Sequence, residues 1–317
     1  MKILLTTTSF QDTPGKHHYL LNSQNWDIDY LRGPVEESVL LPIIHKYDGV
    51  ICGDDEYTKE VIKKGKEGKL KVLSKYGVGL DRIDQEAAKE FGITVTNVPG
   101  INQVSVSEHV LALLFTFSKN IHHQYNSVQR GSWKRGVGSE IQGKTLGIIG
   151  LGAVGKELGK KAGALGMKVL AYDIFKDQEF LDKYSKISFT TEIDDIYSKC
   201  DVISLHLPHT KETDKLINDI VINKKLKKQP IIINTARGKL IDPDAIISGI
   251  KNKLIKGYLC DVLETEPILE NEILLGIENI IITPHVGSRT FENVENQGIE
   301  SINNLFQELS SNTSDEI

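Results

Sequence analysis

The stretch KTLGIIGLGAVGKELGKKAGALGMKVLAYD, residues 144–173, decides the fold of this chain. A strand-like apolar run leads into Gly150, Gly152 and Gly155, which form a G-x-G-x-x-G pattern before a helix-like segment. A second strand-like run then ends at Asp173. Strand, glycine turn, helix, strand and acidic residue follow in the order of the glycine-rich βαβ motif, within about 30 residues. The stretch therefore predicts one crossover unit of a parallel sheet.

The glycine spacing also indicates a ligand. Gly150 would permit a tight turn, Gly152 would let the backbone approach a pyrophosphate, and Gly155 would allow the helix to pack closely on the strand. The diphosphate would lie at the helix N-terminus, where N–H groups and the dipole favour an anion. Asp173 would accept hydrogen bonds from the adenosine ribose and repel the extra phosphate of NADP, which favours NAD. The alternative is a structural turn with a surface aspartate.

The rest of the chain repeats the strand–helix rhythm. Apolar runs at MKILLTT, YDGVICG, LKVLSKYG and GITVTN alternate with helix-compatible segments, which is typical of a parallel sheet covered on both faces. TLGIIG, KVLAYD, DVISLHL, PIIINT, KGYLCDV and NIIITP predict a six- or seven-stranded doubly wound sheet between about residues 145 and 283. Residues 107–133 carry the longest helical pattern, with Gly131 as a stop signal, and residues 310–317 are expected to be disordered.

Length and composition limit the class of protein. A chain of 317 residues fits two globular domains, and its net charge of -5 argues against nucleic-acid or membrane-surface binding. Three cysteines without a C-x-x-C pair, and an N-terminus unlike a signal peptide, indicate the cytoplasm. The histidine pairs 17–18 and 122–123 lack ligands at metal spacing, so no metal site is expected.

Chemistry-bearing residues follow three later strands, where ligands collect in open α/β sheets. INTARGKLID places Arg237 after one strand, YLCDVLETEP places Asp261 and Glu266 after the next, and IIITPHVGSRT places His285 after the last. Removal of a hydride from a hydroxy acid requires a base for the hydroxyl proton, a role that suits histidine braced by a carboxylate. Arginine suits the substrate carboxylate because it binds in a bidentate manner. Taken singly, each residue also fits a surface loop or ion pair.

At these residues the sequence resembles the NAD-dependent D-2-hydroxyacid dehydrogenases. The likeness rests on KYGVGLDRID, NVPGINQVSVSEHVLALLF, GLGAVGK, LHLPHTKETDKLIN, NTARGKLID, DVLETEP and TPHVGSRT. It implies a Rossmann cofactor domain, residues 99–287, inserted into a flavodoxin-like substrate domain, residues 1–98 and 288–317. The usual assembly would be a homodimer through the NAD-binding domain.

The resemblance also implies roles for individual residues. Arg237 would anchor the substrate, Glu266 would support the acid–base His285, and Asp261 would contact the nicotinamide amide. Both Arg237 and His285 would touch the substrate, whose carboxylate would also meet backbone N–H groups of Tyr76, Gly77, Val78 and Gly79. The cofactor-binding residues would be Gly150, Gly152, Ala153, Val154, Gly155, Asp173, His206, Pro208, Thr213, Thr235, Ala236, Asp261 and His285.

The resemblance leaves the substrate open. Phosphoglycerate dehydrogenase-like members are the most similar, but the loop after the strand YDGVICG reads GDDEYT, and its Asp54, Asp55 and Glu56 would repel a phosphate unless they point away. Compensating cations could come from Lys75, Arg82, Lys134 and Arg135. Glyoxylate, hydroxypyruvate and other short 2-keto acids are the alternatives. A non-catalytic NADH-sensing regulator, or a hydrolase of the S-adenosylhomocysteine type, would use the same cofactor fold.

Overall fold

The computed structural model describes residues 1–314, with side chains up to residue 311. The strands are β1 Lys2–Leu5, β2 Asp27–Tyr30, β3 Gly49–Cys52, β4 Val72–Lys75, β5 Thr94–Thr96, β6 Thr145–Ile149, β7 Lys168–Tyr172, β8 Ile187–Thr190, β9 Val202–Leu205, β10 Ile231–Asn234, β11 Gly257–Cys260 and β12 Ile280–Ile282. The helices are α1 Thr8–Asp12, α2 Lys16–Asn22, α3 Glu37–Leu40, α4 Lys59–Glu67, α5 Gln85–Glu90, α6 Gln103–Ser118, α7 Ile121–Gln129, α8 Ala153–Ala164, α9 Gln178–Lys183, α10 Ile193–Lys199, α11 Pro243–Lys251 and α12 Phe291–Ser314. Short 3-10 turns at Ile44–Lys46 and Gly238–Leu240 and a π turn at Val221–Lys225 complete the elements.

The chain divides into two compact units. The first comprises Met1–Asn102 and the segment that begins at Arg289, and the second comprises Gln103–Ser288. The first division falls at the start of α6. The hinge near Pro99 stays a prediction. The second division falls between Ser288 and Arg289, just before α12.

The first unit is built on a five-stranded sheet in the order β2-β1-β3-β4-β5, with every neighbouring pair parallel. This is the flavodoxin-like strand order. Successive residues of a strand point to opposite faces, so Ile3 and Leu5 pack with Leu305 on one face. Leu4 packs with Val61 of α4 on the other. Helices therefore cover the sheet on both faces.

The second unit contains a seven-stranded parallel sheet in the order β8-β7-β6-β9-β10-β11-β12. Its first six strands have the 3-2-1-4-5-6 order of the Rossmann fold. Ile148 packs with α6 and α8 on one face. Ile149 packs with α10 and α11 on the other. The two sheets confirm the prediction of two doubly wound parallel domains.

Three sequence predictions of local structure need correction. The helical pattern over residues 107–133 is two helices, α6 and α7, because Asn120 takes a left-handed conformation with φ of 53° that an α-helix does not tolerate. Two strands, β2 and β8, were not predicted, and both lie at the edge of their sheet. Within the predicted disordered segment, residues 310–314 continue α12, and residues 315–317 lie outside the described residues.

Helix α12 should contribute strongly to the stability of the first unit. Leu305 is fully buried against the sheet, whereas its neighbour Phe306 is 51% exposed. We expect Leu305→Ala to lower the free energy of unfolding by about 2–5 kcal/mol, because it removes buried methyl groups and leaves a cavity. Urea unfolding followed by circular dichroism would measure the loss. The matched control Phe306→Ala should change it far less, and equal losses would contradict this packing.

Candidate active site

The glycine turn connects β6 to α8. Gly150 has a φ of 102°, and a Cβ there would lie 2.6 Å from the backbone oxygen of His206. A Cβ on Gly155 would overlap the backbone oxygen of Gly150. Apart from its chain neighbours, no described atom lies within 4 Å of the Cβ position of Gly152, which is the N-cap residue of α8 and has no side-chain cap. The turn is thus tight where the motif requires it and open at Gly152, where a pyrophosphate would approach.

The first turn of α8 carries the other two residues predicted for this loop, Ala153 and Val154. Ala153 is exposed and Val154 is half-buried. The N–H groups at the start of an α-helix have no partner within the helix. Together with the helix dipole, they suit a diphosphate. This part of the structure therefore fits the phosphates of NAD.

Asp173 follows β7 and closes onto the glycine turn. Its carboxylate accepts hydrogen bonds from the backbone N–H groups of Leu151 at 2.6 Å and Phe175 at 3.0 Å. Two apolar side chains come next, with Ile174 94% and Phe175 76% exposed. An adenine ring would cover such side chains, so they are candidates that the sequence analysis missed. The signal was available, since two apolar residues after a strand-terminal aspartate have no core to join.

The segment from His206 to Thr213 follows β9, the strand beside β6. His206 lies behind Gly150, bonds to Ser204 Oγ through Nε2 at 2.9 Å, and has a pKa lowered by burial to about 4. Its ring is therefore neutral at physiological pH. Thr213 Oγ1 donates to the backbone oxygen of Pro208 at 2.8 Å and accepts from the N–H of Thr210 at 2.8 Å. The threonine thus fixes the shape of the loop, and its contact with adenosine stays a prediction.

Arg237 lies in the loop after β10, which is held by the buried side chain of Asn234. Asn234 accepts from the N–H of Ala236 at 3.0 Å and donates to the backbone oxygen of Arg237 at 2.8 Å. The Oγ1 of Thr235 is buried and has no hydrogen-bond partner among the described residues. A buried hydroxyl without a partner is costly, so Thr235 fits a loop that meets a polar ligand.

His285 follows β12 and pairs with Glu266. The His285 Nδ1 lies 2.6 Å from Glu266 Oε2, and the other carboxylate oxygen accepts from the N–H of Leu263 at 2.8 Å. The imidazole is 43% exposed. Because an ionised carboxylate can only accept, Nδ1 carries the proton and Nε2 becomes the nitrogen that can exchange a proton with a ligand.

The backbone of His285 is left-handed, with a φ of 53°. Such a conformation is rare for a residue with a Cβ and is typical of functional sites whose surroundings hold it in place. Here the N–H of His285 donates to the backbone oxygens of Asp261 at 2.8 Å and Thr283 at 3.0 Å. The loop that carries the imidazole is therefore restrained by the end of β11.

Asp261 follows β11 and is 2% exposed. Burial alone would raise its pKa, but hydrogen bonds from His109, Thr283, Val286 and Gly287 outweigh that effect and hold the pKa below its usual value. The Oδ2 atom accepts only from the N–H of Gly287 among the described residues, at 2.7 Å. A carboxylate oxygen offers two lone pairs, so Oδ2 keeps one for a further donor such as a carboxamide.

In the first unit, the loop after β4 contains the glycines predicted to bind the substrate carboxylate. Gly77 has a φ of 129°, and no described residue accepts from the N–H groups of Gly77, Val78 or Gly79. Tyr76 differs, because its N–H donates to Cys52 and its hydroxyl donates to the backbone oxygen of Val294. The amides suited to a carboxylate are thus those of residues 77–79.

Two negative findings apply to residues 1–314. No cluster of three or more His, Cys, Asp or Glu side chains is arranged to hold a metal ion. Among the same residues, no helix combines the length and apolar content that crossing a bilayer requires.

Comparison with known proteins identifies the family. Residues 111–287 match the model of the D-isomer specific 2-hydroxyacid dehydrogenase NAD-binding domain. The chain is 36% identical to a hydroxypyruvate reductase of Thermotoga maritima over 280 residues, which cover 87% of this chain and 89% of that protein. It is 37% identical to a D-3-phosphoglycerate dehydrogenase of Methanocaldococcus jannaschii over 84% of this chain, but the match spans about half, 50%, of that longer protein.

Solved structures agree with these matches. A protein from Thermus thermophilus superposes with a TM-score of 0.87 at 30% identity, covering 98% of this chain and 97% of the other. The pyruvate reductase of Chlamydomonas reinhardtii superposes with a TM-score of 0.86 at 26% identity, with the same coverage. With the domain match over more than half of the sequence, these likenesses show that the chain belongs to the D-isomer specific 2-hydroxyacid dehydrogenases, a family of NAD-dependent oxidoreductases.

Proposed function

We propose that this chain interconverts a short 2-keto acid and its D-2-hydroxy acid with NAD(H), and that His285 is the acid–base residue. The observation that carries this proposal is the 2.6 Å contact between His285 Nδ1 and Glu266 Oε2. The contact fixes the tautomer and orientation of the ring and stabilises its protonated form. Glu266 is in turn oriented by the N–H of Leu263.

The proton and hydride balance follows from this geometry. NADH, when bound, supplies the hydride that reduces the keto carbon. His285 in its protonated form donates the Nε2 proton to the carbonyl oxygen, so the ketone becomes a hydroxyl and the imidazole becomes neutral. In the oxidative direction, neutral His285 accepts the hydroxyl proton, and Glu266 stabilises the resulting imidazolium.

In the second unit, Arg237 would hold the substrate carboxylate. In the first unit, the N–H groups of Gly77, Val78 and Gly79 stay a predicted anion-binding group. The planar guanidinium matches a carboxylate with two parallel hydrogen bonds. Asn234 fixes the arginine loop through its two bonds to that segment. Such anchoring orients the reacting carbon as well as binding the acid.

The cofactor would be held along the glycine turn and the neighbouring strand ends. Gly150, Gly152 and Gly155, with Ala153 and Val154, would take the pyrophosphate. The adenosine ribose would bind Asp173 next to the loop of His206, Pro208 and Thr213, and the nicotinamide side would meet Thr235, Ala236, Asp261 and His285. Asp173 would favour NAD over NADP by charge repulsion of the 2′-phosphate.

The acidic loop after β3 favours an unphosphorylated substrate. Lys75 is 4% exposed, and its Nζ donates to Asp54 Oδ1 and to the backbone oxygen of Gly53, each at 2.6 Å. Arg82 donates to Glu56 at 3.2 Å. Of the four cations named from the sequence, the two in this unit are thus engaged by carboxylates.

The third acid of the loop points away, as a phosphate-binding site would require. Asp55 is fully buried, its pKa is raised by burial, and it accepts from the N–H groups of Val35 at 2.9 Å and Gly53 at 3.1 Å. Lys134 and Arg135 belong to an exposed segment of the other unit. Because Asp54 and Glu56 still engage Lys75 and Arg82, we favour glyoxylate or hydroxypyruvate over a phosphorylated acid, in line with the name of the Thermotoga maritima relative.

A homodimer through the second unit would explain the surface of α7, on which the described residues include no buried side chain. Ile121, Tyr125 and Val128 are 50%, 62% and 48% exposed, and their spacing of four and three residues puts them on one face. Trp133 follows at 81% exposed. Large apolar side chains exposed on one helix face are typical of a protein interface, and a second copy of the chain is the partner we propose.

We also assign the protein to the cytoplasm. Cys52, Cys200 and Cys260 are all buried and unpaired. Burial raises the pKa of Cys52, Cys200 and Cys260 to about 12, which keeps the thiols protonated and unreactive. Free thiols without a disulfide framework are typical of a reducing compartment.

The acid–base assignment predicts that His285→Gln lowers kcat by about 10²–10⁴-fold, because the proton donor is lost. NADH affinity, followed by the fluorescence of the bound cofactor, should stay close to wild type. Glu266→Gln should cause a smaller loss, since it leaves the imidazole in place. A fully active His285→Gln would contradict the assignment, and wild-type protein that binds NADH but reduces no 2-keto acid would support the sensor alternative.

The substrate class predicts a higher kcat/KM for hydroxypyruvate or glyoxylate than for 3-phosphohydroxypyruvate, by at least about tenfold, which corresponds to about 1.4 kcal/mol. Initial rates of NADH oxidation measure this ratio. Asp54→Asn should lower the ratio of the two kcat/KM values, because Lys75 loses its carboxylate partner and a charge that repels phosphate disappears. A wild-type preference for the phosphorylated acid would assign the protein to phosphoglycerate metabolism instead.

The dimer predicts that the chain sediments with twice the mass of one protomer, and that Tyr125→Lys shifts it toward the monomer because a charge is placed on the apolar face. Analytical ultracentrifugation would distinguish the two states. Tyr19→Lys is the matched control, because Tyr19 is 79% exposed but lies in the other unit. Dissociation by the control alone, or a monomeric wild type, would contradict this interface.

A further inference from the structure

The loop of residues 283–287, which carries His285, is tied to the side chain of Asp261. Its Oδ1 accepts from the N–H of Val286 at 2.9 Å, its Oδ2 accepts from the N–H of Gly287 at 2.7 Å, and its backbone oxygen accepts from the N–H of His285 at 2.8 Å. Three successive amides of the loop therefore depend on one aspartate. The position of the imidazole follows from the position of Asp261.

Thr283 links this aspartate to helix α6. Its Oγ1 lies 2.6 Å from Asp261 Oδ1 and 2.9 Å from the Nε2 of His109. The hydrogen bonds that lower the pKa of Asp261 keep the carboxylate ionised, so it carries no proton and the threonine must donate. The threonine oxygen must then accept a hydrogen bond from the N–H at His109 Nε2, so this nitrogen carries a proton.

The packing around the loop leaves little room for this arrangement to move. A Cβ on Gly287 would lie 2.9 Å from Asp261 Oδ2 and 3.5 Å from His109 Cδ2. The His109 ring therefore forms part of the wall against which the loop turns. His109 Nε2 is also 3.4 Å from Asp261 Oδ1, so the imidazole faces the same carboxylate oxygen as the threonine.

We propose that His109 is a positioning residue that sets the geometry of His285 through Thr283 and Asp261. The inference rests on the proposed acid–base role of His285 and adds a residue of α6 that touches none of the reacting atoms. His109 donates to Thr283, Thr283 donates to Asp261, and Asp261 holds the three amides in the conformation that places a left-handed His285 beside Glu266. Each hydrogen bond in this series orients the donor of the next one. Loss of the His109 donor should therefore weaken the bond from Thr283 to Asp261 and the hold of Asp261 on the loop.

The test compares two substitutions of His109. His109→Phe keeps a ring but removes the Nε2 donor, whereas His109→Gln keeps an N–H donor at a similar reach. We expect His109→Phe to lower kcat by about 10–100-fold, the effect of a small misplacement of a reacting group. KM for the keto acid and NADH affinity should change little. His109→Gln should retain most of the wild-type kcat, because it keeps an N–H donor.

Two further measurements separate positioning from a general loss of structure. Hydrogen–deuterium exchange of the cofactor-free protein should show faster exchange of the amides of 285–287 in His109→Phe, with α8 and β6 unchanged. Thr283→Val should lower kcat to a similar extent, and the double variant should be no worse than either single one, because both break the same chain of bonds.

Three results would overturn the proposal: unchanged kcat in His109→Phe, equal losses in His109→Phe and His109→Gln, or additive losses in the double variant. His285→Gln measured alongside distinguishes this failure from that of the proposed function. If His285→Gln is inactive while His109→Phe is unaffected, only the positioning role is wrong. If His285→Gln remains active, the acid–base assignment itself is wrong, whatever the His109 variants do.

Discussion

Parallel pairing of neighbouring strands is the constraint on which the rest of this structure depends. Strands that all point the same way must be joined by crossovers, so their carboxyl ends collect at one edge of the sheet. In the second unit, the segments after β6, β9, β10, β11 and β12 share such an edge. Gly150 and His285 are far apart in sequence, yet each follows a strand of the same sheet. The topology therefore brings these segments to one edge of the sheet, and their side chains determine what chemistry is possible there.

Buried polar side chains at the ends of several strands hold the loops that follow. Asn234 and Asp261 are 0% and 2% exposed, and each hydrogen-bonds the backbone of a loop, which carries Arg237 in the first case and His285 in the second. In the first unit, buried Asp55 and Lys75 bind the loop after β3 in the same manner. Burying a polar group is unfavourable unless its hydrogen bonds are satisfied. The loops that satisfy them are thereby restricted to one conformation, which gives the strand ends their geometry.

Sequence reasoning predicted the parts of the fold whose signals are local, and it named the candidate site residues that follow the strands. The glycine turn, the buried strands and the polar residues after them can be predicted because each depends on a short stretch of sequence. The edge strands β2 and β8 were missed because one flank lies in solvent and their apolar runs are weak. The break at Asn120 was missed because its cause is a single left-handed residue. Asn234, Thr283 and His109 were missed because their importance comes from hydrogen bonds that cross between strands or reach from a distant helix.

Two left-handed residues show how differently the two parts of the site are stabilised. Gly150 reaches a φ of 102° without steric cost because it has no Cβ. His285 has a φ of 53° although it has a Cβ, because an imidazole at this position excludes glycine. Its strain, on the order of 1–2 kcal/mol, must be offset by neighbouring contacts. The backbone bonds to Asp261 and Thr283 and the contact with Glu266 provide them. The conformation of the glycine turn is therefore encoded in its own residues, whereas that of His285 depends on the strand beside it.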